Sequence, residues 1–430
     1  MAQPSPETTA VAPEAGRKVK VGVIGLGAWG REILDQLGRL EYAEVVAICD
    51  NYPAMVRRSA TKAPNAKQFE DHQELLKSSD VQAVIVATGS HQHKDIVIAA
   101  LNAGKHVYCE APLAHTVEDA RAIALAAKQA TAQVFQAGLQ SRSDPQRHFL
   151  FPFIRSGALG KSVMARAHWH KKQSWRQASP NAERERAINW RLRQATSPGL
   201  VGEIGIHALD QAGWLFNVDP VAVTGFGSTI LWKDDGRDVP DTVEAVIEFP
   251  GGVRMNYNAS LATSFDSECE LLHGTDATVM MREVNSEQKA WMFKEVDSPL
   301  LGWEVYARKD NFLDETGIVL AVGSSKQTAL VDGGAAATKA PPAHYHALKY
   351  FLSNCSEVIK ETADFKSNFE GASQQELGEH ILSLKIGQNT DRPAAGYLDG
   401  YTATVIALKV NEAVNTGKRV EFKKEWFELA

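Results

Sequence analysis

The stretch Val19–Gly30, VKVGVIGLGAWG, constrains this chain more than any other. A short apolar run (Val19, Val21, Val23, Ile24) enters Gly25-x-Gly27-x-x-Gly30, and apolar residues at helical spacing follow at Ile33, Leu34, Leu37 and Leu40. The pattern predicts a strand, a tight turn and a helix. The first glycine permits the turn, the second lets a pyrophosphate approach the backbone, and the third lets helix and strand pack closely. A phosphate at this turn rests on the helix N-terminus, where unpaired N–H groups and the helix dipole favour negative charge. Ala28 and Trp29 fall inside the turn and are candidate cofactor contacts with the three glycines. A second apolar run, Glu44 to Cys49, ends at Asp50, twenty residues beyond Gly30. An acid there accepts hydrogen bonds from ribose hydroxyls and repels a 2′-phosphate, which points to NAD rather than NADP. Arg57 and Arg58 nearby weaken that discrimination.

The 430 residues suit two domains rather than one. A net charge of −6 with scattered Lys and Arg gives no reason to expect nucleic acid or a membrane as partner. Cys49, Cys109, Cys269 and Cys355 lie far apart with no CxxC pair, so no metal site is expected and disulfide pairing is left open. Residues 1–17 are rich in Pro, Ala, Thr and Glu without apolar periodicity and are expected to form a disordered arm. This start fits a cytoplasmic extension or an exported protein equally, and the compartment stays open.

Strand and helix signals alternate through residue 140, as a doubly wound parallel sheet over residues 18–140 requires. Thr116-x-x-Asp119 opens an Ala-rich helix as a capping box. From about residue 160 the texture changes to alternating strands such as Met164–His170, Val221–Phe226 and Thr242–Phe249, with a hairpin turn at Pro250-Gly251-Gly252. Residues 141–396 are therefore expected to form an α+β domain with an open, mostly antiparallel sheet. An apolar helix within 397–430 is expected to pack back on the first domain.

Three further features resemble the Gfo/Idh/MocA oxidoreductases, which include glucose–fructose oxidoreductase and inositol dehydrogenase. They are Thr88 and His93 followed by Ala103-Gly-Lys-His106-Val107 and Glu110-Ala111-Pro112; Gly138-Leu-Gln140-Ser-Arg142-x-x-Pro145; and Gly199-x-x-x-Glu203-Ile-Gly205-Ile-His207-Ala-Leu-Asp210. The resemblance covers residues 19–260 well. It implies a carbohydrate or polyol substrate, a homodimer or homotetramer, and cofactor contacts at Thr88, His93, Glu110, Ala111, Pro112 and Gln140. One departure matters: the family's Glu-Lys-Pro triplet has Ala111 at its centre here, so the lysine beside the nicotinamide is missing.

Oxidising a secondary alcohol with NAD requires removal of the hydroxyl proton while the nicotinamide takes a hydride, and the best single base at neutral pH is a histidine. His207 is that candidate. Glu203 is expected to orient its ring from one turn away on a shared helix, with Asp210 completing the catalytic set. On a strand His168 and His170 face the same way. If that face meets the cleft, His170, Trp175 and Arg176 contact substrate, together with Trp190 and Arg191. Lys171, Lys172, Tyr345 and His346 are alternatives for the absent lysine. Some relatives use the same hydride step as redox-neutral NAD-dependent glycosidases and also lack the lysine, so that activity is a second reading. A non-catalytic nucleotide-binding protein is a third.

Overall fold

The computed structural model describes residues 18–429 except 180, 285–286, 302–303, 305–306, 313–314, 321–340 and 387–391, so the arm expected over 1–17 lies outside the described residues. Strands β1 (Val19–Ile24), β2 (Ala43–Cys49), β3 (Lys67–Phe69), β4 (Ala83–Val86), β5 (His106–Cys109) and β6 (Phe135–Ala137) form a parallel sheet in the order β3-β2-β1-β4-β5-β6. Helices α1 (Ala28–Leu37), α2 (Pro53–Ser59), α3 (His72–Leu76), α4 (His93–Asn102) and α5 (Val117–Gln129) connect them. β4 is buried at every position, as a central strand covered on both faces must be. The strand order reverses between β1 and β4, and a crevice opens there at the carboxyl ends.

The glycine turn is tight for a concrete reason. A Cβ on Gly30 would sit 1.9 Å from the Gly25 carbonyl oxygen, so only glycine lets α1 start this close to β1. Gly25 itself has φ +94, a left-handed conformation that L side chains rarely adopt.

After α6 (Pro145–Phe153), α7 (Ala182–Ile188) and α8 (Ile206–Phe216), the chain builds a ten-stranded sheet. Its strands are β7 (Ser162–His170), β8 (Ala222–Ser228), β9 (Thr242–Glu248), β10 (Arg254–Ser260), β11 (Glu268–Gly274), β12 (Ala277–Val284), β13 (Glu287–Lys294), β14 (Lys309–Phe312), β15 (Glu315–Val319) and β16 (Val420–Glu421). The order is β14-β15-β13-β12-β11-β7-β10-β9-β8-β16, and among the described strands of this sheet the β7–β10 pairing alone is parallel. The fold is thus a doubly wound parallel sheet joined to an α+β unit with a mostly antiparallel sheet, as the sequence led us to expect.

Two late segments cross between the sheets. Helix α9 (Ala343–Asn368) follows the second sheet in sequence, yet its buried Ala347, Leu348, Phe351, Leu352 and Cys355 share a core with Val21, Val23, Ile33 and Tyr108 of the first. The 141–396 grouping misses this. The first sheet must cover its apolar face, and each large side chain buried there contributes about 1.5–3 kcal/mol. Helix α10 (Gln374–Ser383) packs on α9. Helix α11 (Tyr397–Thr416) lies against α5 and also against β8 and α8, while β16 joins the second sheet. All four cysteines are buried and unpaired. No described helix is long and apolar enough to cross a membrane.

Candidate active site

A cavity of about 2520 Å³ lies between the parallel sheet's carboxyl ends and the inner face of the second sheet. Its first wall is the glycine turn. Nothing lies within 4 Å of where a Cβ on Gly27 would stand, and no acidic residue occupies the first turn of α1. Ala28 and Trp29 line this open space, where the first N–H groups of the helix have no intrahelical partner. The buried Thr88 Oγ1 on the same wall has no partner either. These features fit a dinucleotide pyrophosphate. Asp50 Oδ2 accepts from Leu26 N at 2.9 Å and Oδ1 from Tyr52 N at 2.9 Å. Both bonds fix the carboxylate at the cavity edge with lone pairs left for ribose hydroxyls. Asp50→Ala is expected to weaken NAD binding about tenfold, the loss of a charge-assisted hydrogen bond. It should also narrow the preference over NADP, and fluorescence titration with both cofactors checks this.

Glu110, Ala111 and Gln140 line the cavity beside this wall, and the Ala111–Pro112 bond is cis. Burial pushes the Glu110 carboxyl up to about 7, opposed by a hydrogen bond from Trp29. His93 belongs to the scaffold. Its Nδ1 lies 3.1 Å from the Pro112 carbonyl oxygen and its Nε2 3.2 Å from that of Thr88, so the ring ties the β4 exit to the Pro112 turn. Burial lowers its pKa to about 4, so the neutral ring has one N–H and donates to one of the two carbonyls, and the residue is only 2% exposed.

His207 faces the cavity from the first turn of α8. No hydrogen bond to its ring is present among the described residues, and burial lowers its pKa to about 4. At neutral pH it is an uncharged acceptor. Glu203 does not orient it. Residues Val201–Gly205 form a π-helical turn ahead of α8, so Glu203 and His207 do not share one α-helical face. The Glu203 carboxylate instead accepts from Ser90 Oγ at 3.0 Å, Ser197 Oγ at 3.2 Å and Arg191 Nε at 3.2 Å. It locks the β4 exit to the second domain. Burial raises its pKa and Arg191 opposes the rise.

Asp210 leaves the catalytic set. It is absent from the cavity lining, and Arg142 clamps it through Nε at 2.9 Å and Nη2 at 2.8 Å, while Nη1 reaches Asp399 on α11 at 2.6 Å. This cluster joins the end of the first domain to α8 and α11. The two carboxylates raise the Arg142 pKa above its already high value.

The substrate candidates divide. Trp190 and Arg191 line the cavity, with the guanidinium 4.8 Å from the Trp190 ring centroid and 5.8 Å from that of Trp175. Trp175 backs Arg191 rather than facing the cavity, and Arg176 pairs with Glu185 in a separate shallow dent. His168 and His170 do face the same way and stack at 4.8 Å. Their rings, however, bond the 265–266 loop and Asn258 on the outer face of the sheet. The buried Ala165 and Ala167 mark the inner face, so Trp169 is the β7 ring on that face, and His168 also borders the cavity at the strand's end. Of the alternatives for the missing lysine, His346 lines the cavity and Lys171, Lys172 and Tyr345 do not. The sequence reading passed over Tyr257, Glu268, Glu270 and Gln211, which also line it. The alternation of Glu268, Glu270 and Leu272 against Cys269, Leu271 and His273 is a strand signal that was available there.

A nucleotide turn and an uncharged histidine meeting in one cleft between two sheets define a two-domain dinucleotide-binding protein of the oxidoreductase type. Residues 19–138 match the model of an oxidoreductase family with an NAD-binding Rossmann fold, and residues 152–280 match the GFO/IDH/MocA C-terminal domain. The chain belongs to the Gfo/Idh/MocA oxidoreductase family. It is 29% identical over 203 residues to the inositol 2-dehydrogenase of Salmonella typhimurium, covering 47% of this chain and 55% of that relative. The chain thus spans about half the length of such relatives. It is 28% identical over 268 residues to the 1,5-anhydro-D-fructose reductase of Ensifer adhaerens, covering 62% and 77%. A levoglucosan dehydrogenase in complex with NADH and L-sorbose shares the fold, with a TM-score of 0.69 and 19% identity over 94% of this chain and 99% of that one. So does the aldose-aldose oxidoreductase of Caulobacter crescentus, with a TM-score of 0.65 and 20% identity over 94% and 100%.

Proposed function

We propose that the protein is an NAD-dependent oxidoreductase acting on a secondary hydroxyl of a sugar or polyol, with His207 as the acid–base group. The observation that carries this reading is the His207 ring, uncharged and without a hydrogen bond among the described residues, in the cavity that also holds the glycine turn and Asp50. Bound NAD supplies the hydride acceptor. The residues of the chain do the rest: Ala28 and Trp29 hold the pyrophosphate, Asp50 the ribose, and His207 receives the hydroxyl proton on a ring nitrogen. Glu203 positions Ser90 and Arg191 and so shapes the floor between nicotinamide and substrate. The names of the relatives, inositol and anhydrofructose enzymes among them, support a polyhydroxylated substrate. A homodimer or homotetramer belongs to the same proposal, supported by Met164, Phe226 and Val246 lying exposed on the outer face of the large sheet.

The test follows nicotinamide reduction and aglycone release together, over free sugars, polyols and aryl glycosides, with and without added NAD. Stoichiometric NADH with intact substrate is the expected result. Aglycone release without net NADH overturns it in favour of a redox-neutral glycosidase. Cofactor binding with neither signal overturns it in favour of a non-catalytic protein.

A further inference from the structure

The inner face of the second sheet forms the cavity wall across from the nucleotide turn, and its register can be read row by row. Tyr257 on β10 pairs with Ala167 on β7, which pairs with Glu270 on β11; the next row along the same face is Ala259, Trp169 and Glu268. Helix α8 and the turn before it cross the first row. A Cβ on Gly205 would lie 2.8 Å from Tyr257 Oη, and Gln211 Nε2 donates to Glu270 Oε1 at 2.8 Å. Three strands at their usual spacing span about 10 Å, and six residues of helix rise about 9 Å. His207 therefore sits over the middle of the first row, with Glu268 one row beyond it.

The polar groups of this wall are unequally engaged. Glu270 is engaged at both oxygens, since Arg147 Nη1 donates to it at 2.6 Å in addition to Gln211. Arg191 is committed to Glu203. Glu268 lines the cavity, is exposed to it, and makes no hydrogen bond or ion pair among the described residues. Tyr257 also lines it, is only 2% exposed, and its Oη has no partner. A buried hydroxyl without a partner is costly, and the unpaired Glu268 carboxylate, one row on and two strands away, is a strong acceptor awaiting a donor. Glu283 adds a further unpaired acid on the same wall, while Arg31, Arg58 and Arg184 lie at the Asp50–Tyr52 end.

We infer that Glu268 and Tyr257 form a substrate-binding wall that selects sugars and polyols bearing no anionic group, with hydroxyl or ammonium donors directed at Glu268. The inference rests on the cavity being a sugar or polyol site, and it names the class that the site accepts. Uronates and sugar phosphates are rejected because their charge would face Glu268 and Glu283, while Arg147 and Arg191, among the described cations of the lining, are paired with Glu270 and Glu203. Enclosure within the cleft, with the neighbouring Glu270 and Glu283, pushes the solvent-reached Glu268 carboxyl up, against the pull of Arg147. Tyr257, Trp169 and Gln288 are the other polar groups on the strands flanking it.

The test is calorimetric titration of the NAD-loaded protein with glucose, glucosamine, glucuronate and glucose 6-phosphate, beside steady-state kinetics where a substrate turns over. Wild type is expected to bind the neutral and amino sugars and to reject the two anions. Glu268→Gln should weaken binding of the accepted sugars about tenfold or more, and raise KM more than it lowers kcat. Tyr257→Phe should weaken binding while raising the thermal unfolding midpoint, since it deletes an unsatisfied buried hydroxyl; a purely structural tyrosine would not give that combination. Unchanged affinities in both variants, or a wild-type preference for the anions, overturn the wall. If sugars bind in a Glu268-dependent way but none reduces the cofactor, the oxidoreductase reading fails and the wall stands. If turnover is present and Glu268→Gln leaves every affinity intact, the reverse holds.

Discussion

His207→Ala is expected to lower kcat/KM by about 10²- to 10⁴-fold, the range for losing a positioned general base, with NAD affinity and the unfolding transition nearly unchanged. The fold should tolerate the change because the ring makes no hydrogen bond that the helix needs. The pH profile supplies the second half of the prediction. The His207 pKa is lowered from 6.5 to about 4, so the basic form persists well into acid. The acid limb of kcat/KM should therefore fall near pH 4, two units below that of an ordinary histidine, and His207→Ala should erase it. Stopped-flow nicotinamide reduction at substrate concentrations below KM, from pH 3.5 to 8, reads both effects. Activity within threefold of wild type in His207→Ala would remove the histidine from the chemistry.

The second large effect concerns stability. Asp210→Ala is expected to destabilise the protein by about 1.5–3 kcal/mol, the worth of hydrogen bonds to a charged group, because Arg142 loses the Asp210 clamp but keeps one carboxylate partner. Arg142 is only 18% exposed and would retain Asp399 alone. Since that cluster joins the first domain's end to α8 and α11, the loss should appear as a lowered urea midpoint and as weaker domain docking. The kcat of the protein that remains folded at low temperature should change less than tenfold. A variant of full stability with abolished kcat would return Asp210 to the catalytic set. Asp210→Asn, which keeps one acceptor for Arg142, should fall between wild type and alanine in the same urea titration.

The parts of this protein written in its sequence are those decided within a few tens of residues. The Gly25–Gly30 turn, the strand before it and Asp50 after it are fixed by local backbone limits: no other residue accepts the Gly25 conformation, and a Cβ at Gly30 meets a carbonyl. The alternation of apolar strands with helices specifies a parallel sheet because each helix carries the chain back across the sheet to start the next strand in the same direction, with a right-handed crossover. His207 stands out by chemistry alone, being a histidine in a family motif. Tertiary structure decided what depends on partners distant in the chain. Glu203 bonds Ser90 across 113 positions and Asp210 bonds Arg142 across 68, so a carboxylate's task cannot be read from its neighbours. A strand's period of two says that His168 and His170 share a face but not which face is inward; packing of Ala165 and Ala167 against the core settled that. The same logic hid Glu268 and Tyr257, and it hid α9, whose apolar stripe covers a sheet that begins more than three hundred residues earlier. Local sterics act through bonded geometry and survive in any context, whereas burial and pairing exist only once the whole chain has chosen its neighbours.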